Sequence, residues 1–154
     1  MDNAVSQSPT PPRAGDVWPP EIQADFTANQ SNPRVGTKLL SADDRVRVWE
    51  IRLKPGERIG FHRHVLDYFW AAVTPGMALS HQGDGSTVEA TYTAGQTQHY
   101  VYAASEYKIH DLENIGSSEL VFTTVEFLQS ANEALPLPDE AAGVTFIRPQ
   151  IINS

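Results

Sequence analysis

The sequence predicts an all-β domain, a sandwich or barrel of short strands. Three observations predict it. Short runs rich in β-branched and aromatic residues recur through the middle of the chain, each bounded by a Gly- or Pro-centred turn. Residues 77–135 contain no proline, the residue that central strands exclude. Helical periodicity is nearly absent: only residues 130–135 read as helix-like, and Pro136 ends them.

Taken in order, residues 45–53 (RVRVWEIRL) form the first clear strand, although Val46 and Val48 against Trp49, Ile51 and Leu53 suggest a change of face midway. Pro55-Gly56 forces a turn. Residues 59–64 and 68–73 follow, and Thr74-Pro75-Gly76 turns the chain again. Residues 77–81 and 87–92 flank Gly83-Asp84-Gly85, a hairpin signal. Residues 100–103, 107–112 and 120–128 complete the set, with Asn114-Ile115-Gly116 as the turn before the last strand. The cluster 144–147 is a candidate terminal strand.

Six of the eleven prolines lie in the first 33 residues. The predicted organisation is an N-terminal arm at 1–34, Pro-rich and partly flexible, a barrel domain at 35–129, and a tail at 130–154 that packs on the barrel or on a partner. At 154 residues the chain is long enough for one core, and no internal repeat is visible. A net charge of -8 argues against nucleic acid and against anionic membrane surfaces. No apolar run approaches a membrane span, and the N-terminus carries no signal peptide, so the expected location is cytoplasmic. The absence of cysteine excludes disulfides, thiolate ligands and cysteine nucleophiles, so any metal must sit on imidazole and oxygen.

His62 and His64 are separated by one residue. On a strand, side chains two apart share a face, so both imidazoles project to one side and Arg63 to the other. A metal ion needs ligands that converge, and a His-x-His strand supplies two. A lone pair of this kind is more often incidental. Here a turn at Pro55-Gly56 precedes it, Gly76 closes the following strand, and His110 stands in a later strand with Asn114 four positions on. His81, beside the Gly83-Asp84-Gly85 turn, reads as exposed.

Gly56, five residues and His62-Arg63-His64, then Gly76, resemble the first motif of the cupin superfamily. His110 and Asn114 resemble the end of its second motif. The stretch HRHVLDYFWAAVTPG is similar to a subfamily known as β-alanine degradation cupins, and DDRVRVWEIRLKPGE and HDLENIGSSELVFTTVEF fit the same group. The resemblance covers residues 45–128. It implies a double-stranded β-helix, or jelly-roll barrel, holding one divalent metal ion (iron, zinc, nickel or manganese) on His62, His64 and His110.

The chain departs from the family pattern at the glutamate that usually completes the site. It should fall at Tyr68 or Phe69. Asp67 is one residue early and faces away unless a β-bulge rotates it inward. The expected outcome is a three-histidine site with Tyr68 near its open side. Ser105 and Tyr107 stand where the second motif has Pro-x-Gly, and the longer spacing carries His99, a fourth ligand, a pocket base or an incidental loop histidine. Three neutral ligands leave the ion's charge uncancelled, which favours a small organic anion as substrate or ligand. The implied activities are a three-histidine iron(II) dioxygenase, a non-redox zinc lyase, isomerase or cyclase, or a non-catalytic small-molecule-binding cupin. Inward-facing aromatics are the expected pocket wall, with Trp70, Tyr100, Tyr102, Tyr107 and Phe122 as candidates alongside Phe61 and Phe127. Arg47, Arg52 and Glu126 are candidate polar groups inside the barrel. Edge strands need covering, so the chain is expected to form a homodimer through its terminal segments.

Overall fold

The computed structural model describes residues 7–10 and 18–137, with side chains described over 18–137. In chain order the strands are β1 Gln7–Thr10, β2 Lys38–Ala42, β3 Val46–Leu53, β4 Arg58–His64, β5 Tyr68–Ala72, β6 Gly76–His81, β7 Thr87–Tyr92, β8 Thr97–Tyr100, β9 Lys108–Asn114 and β10 Leu120–Phe127. One helix, α1 Pro20–Ala28, lies between β1 and β2. The strands form two five-stranded sheets, β1-β7-β6-β9-β4 and β2-β3-β10-β5-β8, in which the neighbours are antiparallel. The core lies between them: Ile51, Leu53, Trp70 and Phe122 of the second sheet meet Ala78, Ala90, Tyr92 and Leu112 of the first. This is the two-sheet jelly-roll barrel the sequence predicts.

Alternation explains most of the burial. In β5, Tyr68, Trp70 and Ala72 are buried while Phe69 and Ala71 are only partly so, as the period of two requires. In β3 the anticipated change of face does not occur. Its register against β10 is unbroken from Val46↔Phe127 to Leu53↔Leu120, so Arg47, Trp49, Ile51 and Leu53 share one face. Glu126 is buried on the inner face of β10 and accepts a hydrogen bond from Trp49 Nε1 at 2.8 Å, whereas Arg52 points outward to Glu50 and Glu119. Gly56 (φ 85°) and Gly85 (φ 94°) occupy the left-handed turn positions where a side chain would be strained.

Elements that the sequence did not reveal appear in the N-terminal part of the chain, and two expectations need correction, at residues 130–135 and at His81. The arm contributes structure: Gln7–Thr10 pairs with β7, and α1 packs on β4. Pro20 and the acidic Glu21 suit the first turn of α1, and its Ile22 and Phe26 join Trp18 and Phe61 in a second, outer cluster. Strand β2 also adds an unforeseen edge to the second sheet. Residues 130–135 are bends and coil, because their side chains serve other segments: Ser130 Oγ accepts from Asp67 N and donates to Phe127 O, while Asn132 Nδ2 donates to Val65 O and Ala103 O. His81 is buried at 8 % exposure, since Trp18 and Phe61 cover it and Asp111 bonds its Nδ1 at 2.9 Å. The candidate strand at 144–147 lies outside the described residues. Among the described residues no helix is long and apolar enough to cross a membrane.

Candidate metal centre

Strands β4 and β9 build the site. Their register sets His62 opposite His110 and His64 opposite Lys108. Opposed residues of an antiparallel pair share a face, as do residues two apart on one strand. Three imidazoles and one ammonium therefore form the corners of a four-residue patch facing the barrel interior. The ligating atoms of His62, His64 and His110 lie within 4.8 Å of one another. His64 Nε2 and His110 Nε2 are 3.2 Å apart.

A β-bulge makes this possible. The β4–β9 register shifts between Ile59 and His62, so Gly60 and Phe61 stand against one residue of β9. The extra residue resets the parity. Ile59 packs on the inner core, Phe61 packs outward under α1, and His62 and His64 again face inward. The bulge also takes Phe61 out of the ladder. Asp25 Oδ2 of α1 accepts its N–H at 2.9 Å, and Asn32 Nδ2 donates to its carbonyl at 3.0 Å. A Cβ at position 60 would stand 2.8 Å from Asp25 Oδ2, so any other residue there would displace the carboxylate that holds Phe61 N and Arg58.

Hydrogen bonds to the far ring nitrogens orient the imidazoles. His62 Nδ1 lies 2.8 Å from Gly60 O, an acceptor, so Nδ1 carries the proton and Nε2 keeps its lone pair. His110 Nδ1 faces Ser80 Oγ at 3.4 Å. That hydroxyl already donates to Asp111 O at 2.6 Å and accepts from Gln82 Nε2, so it is an acceptor toward the ring. His64 has no polar partner at Nδ1 and is held instead by the face of Tyr68, 4.0 Å away and 11° from parallel.

Burial holds all three imidazoles neutral. It pushes His62 down to about 4, against a small upward pull from the Gly60 carbonyl. It holds His64 and His110 well below the ordinary range, with further lowering from neighbouring imidazoles and Lys108. Burial likewise pushes Lys108 down to about 8. Neutral, converging, orientated imidazoles are the protonation state that metal ligation needs. The donor set thus fits a divalent ion that accepts nitrogen ligands, such as zinc, iron or nickel, better than manganese, which prefers oxygen-rich sites.

The cluster opens onto a cavity of about 260 Å³ between the sheets. Trp70, Tyr92 and Phe122 form one wall as a mutual edge-to-face cluster with centroids 4.8 to 5.3 Å apart. Tyr100 lines it and stacks on Tyr68 at 4.6 Å. Tyr102 is one layer further out, 6.3 Å from Tyr68, against the core but not on the cavity surface.

Several predicted site residues stand elsewhere. Tyr107 precedes β9 and is 52 % exposed, with the Arg63 guanidinium 3.9 Å above its ring, so it is no pocket residue. His99 is exposed on the outer face of β8, against Phe69, because its neighbours Gln98 and Tyr100 take the inward positions. It is neither ligand nor pocket base in this arrangement. Tyr68 lends the cluster its ring face. Asp67 is directed to the Tyr102 N–H at 2.9 Å. Sequence reasoning missed Lys108 and Ser80, although Lys108 is two positions before His110 and so shares its face.

No protein-family model matches the sequence, and no curated protein matches it. Solved structures do. A cupin domain from Bordetella pertussis Tohama I is 30% identical, over 63% of this chain and 95% of that one, with a TM-score of 0.52. An RmlC-like cupin family protein with a double-stranded β-helix fold from Methanocaldococcus jannaschii is 20% identical, over 58% of this chain and 75% of that one, at 0.46. A sugar phosphate isomerase from a cupin superfamily, from Silicibacter pomeroyi DSS-3, is 19% identical, over 54% of this chain and 50% of that one, at 0.40.

Proposed function

This chain belongs to the cupin superfamily, and we propose that it is a mononuclear metal-dependent enzyme acting on a small organic anion. The observation that carries the proposal is the convergence of three neutral imidazoles, the buried His62 and His64 and the half-buried His110, on one point at the edge of an apolar cavity. No Asp or Glu among the described residues joins them. The ion would therefore keep its full double charge, and would supply Lewis acidity or, as iron, one-electron chemistry with O₂.

The protein's own residues do the rest. His62 and His110 present Nε2 because Gly60 O and Ser80 Oγ engage their other nitrogens. Tyr68 fixes the plane of His64. Trp70, Tyr92 and Phe122 exclude water and hold the apolar body of the substrate. The three nitrogens suit iron(II), and a three-ligand site would leave positions for a substrate and O₂ together, which supports the dioxygenase reading. A zinc lyase, isomerase or cyclase is the second reading, since the same three nitrogens suit zinc. The motif at 62–76 supports membership of the β-alanine degradation group, and a homodimer completes the reading.

Metal analysis of protein purified without added metal, followed by oxygen uptake with β-diketones, thiols and hydroxy acids, tests this. Metal-dependent uptake that H62A/H64A abolishes is the expected result. Turnover of the zinc form without oxygen uptake moves the assignment to the second reading. Full metal retention by H62A/H64A sinks both.

A further inference from the structure

The fourth corner of the patch is a lysine with no counter-charge. Lys108 lies directly across from His64 and two positions from His110, on the cavity face of β9. Among the described residues it has no carboxylate and no hydrogen-bond acceptor. Its recorded contact is with the ring of Tyr100, 4.5 Å from Nζ to the centroid. No Asp or Glu lines the cavity, although the chain as a whole carries a net charge of -8. Gln98 adds a buried side-chain carbonyl without a partner on the same lining.

Lys108 is half-buried; an ammonium held against an apolar cavity without a counter-charge is costly, and the cost would rise with a dication beside it. Folds keep such a group where a ligand completes it. We propose that Lys108 is the anion anchor of the cavity, pairing with the carboxylate of a small organic acid whose apolar body lies against Trp70, Tyr92 and Phe122. This rests on the reading of the three histidines as a metal site, and adds to it a recognition element made by the protein itself. At about 260 Å³ the cavity holds the volume of roughly nine waters at about 30 Å³ each. That suits an acid with one ring or a short chain. The ligand class is a compact monocarboxylate with an apolar body and, by charge, neither a cation nor a neutral amide.

The test compares benzoate with benzamide, and butyrate with butyramide, by titration calorimetry. Wild type, K108R and K108M are used, each zinc-loaded and each treated with chelator. A charge-assisted hydrogen bond in a dry site is expected to give at least about tenfold tighter binding of acid over amide. K108M should lose that preference in both metal states and K108R should keep most of it. Zinc stoichiometry of K108M should stay at one. Its melting temperature should stay level or rise, since the uncompensated charge is gone. Equal binding of acid and amide to wild type overturns the proposal, and so does an unchanged preference in K108M. So does a fall in K108M melting temperature without any change in ligand preference, which marks a structural lysine. Wild type that takes up no zinc refutes the metal reading instead, and the chelator-treated arm still scores Lys108.

Discussion

The Nε2 atoms of His64 and His110 stand 3.2 Å apart, although the two residues are 46 positions apart in the chain. Two neutral imidazoles at that distance share one proton. His110 commits Nδ1 to Ser80 Oγ, which leaves the proton on His64 Nε2 and the lone pair on His110 Nε2. That assignment also accounts for the bare Nδ1 of His64. A bound metal ion would take the place of that proton between the two Nε2 atoms, and the His64 proton would then sit on Nδ1. Nitrogen-15 spectra of the histidine rings should therefore show His64 changing from the Nε2–H to the Nδ1–H tautomer when one equivalent of zinc is added. His62 and His110 should stay Nδ1–H throughout. A His64 that is Nδ1–H before zinc is added contradicts this account.

Ser80 would act on a bound ion only through His110. S80A removes the acceptor at His110 Nδ1 and leaves Gln82 Nε2 without its 2.8 Å partner. Loss of such a supporting contact typically costs about tenfold or more in metal affinity. Competition with a chromophoric chelator measures this, and circular dichroism checks that the fold survives. Unchanged affinity would show that His110 is held by strand geometry alone.

Glu126 predicts a pH effect on stability. Burial pushes its carboxyl up to about 7, against the partly offsetting Trp49 hydrogen bond. Between its ordinary value near 4.5 and about 7, the folded chain holds a proton that the unfolded chain releases. Stability therefore falls as pH rises through that window, and the cost is complete above it. The shift corresponds to roughly 3 kcal/mol at most. E126Q keeps the acceptor for Trp49 Nε1 and removes the charge. Urea titrations should show E126Q more stable than wild type at pH 8, by about 1–3 kcal/mol, with the gap closing by pH 5. Parallel curves for the two proteins would refute the assignment.

Asp111 joins three elements behind the histidine cluster. Its carboxylate takes Arg58 Nε at 2.7 Å, His81 N at 2.6 Å and His81 Nδ1 at 2.9 Å, and it is fully buried. Arg58 continues to Asp25 at 2.7 Å and so ties α1 to β4. D111A leaves a partly buried guanidinium short of a partner, a change that costs about 3–5 kcal/mol. The urea midpoint should drop accordingly. D25A breaks only the outer link and should cost less. A D111A midpoint within error of wild type would mean that the network carries no stability.

Much of this was legible in the sequence. The period of two placed His62 and His64 on one face, and Gly56, Gly76 and Asn114 tied the pattern to a jelly roll. Asn114 shows why: its buried side chain bonds Leu53 O, Ser118 O and Gly116 N, closing the turn before β10. What stayed illegible was set by tertiary contact. The bulge at Gly60-Phe61 depends on Asp25, a residue of the N-terminal arm, where the sequence showed no helical signal. His81 is buried only because Trp18 and Phe61 cover it. The phase of β8 turned His99 outward and could not be read from four residues without apolar alternation. Lys108 was within reach, since parity alone places it beside His110.

Crystals of the protein soaked in zinc, measured above and below the zinc absorption edge, test the central claim most directly. The account predicts one anomalous peak per chain at about 2.0–2.1 Å from a ring nitrogen of each of His62, His64 and His110. A map with no peak there, and with the His64 and His110 rings still hydrogen-bonded to each other, would contradict it.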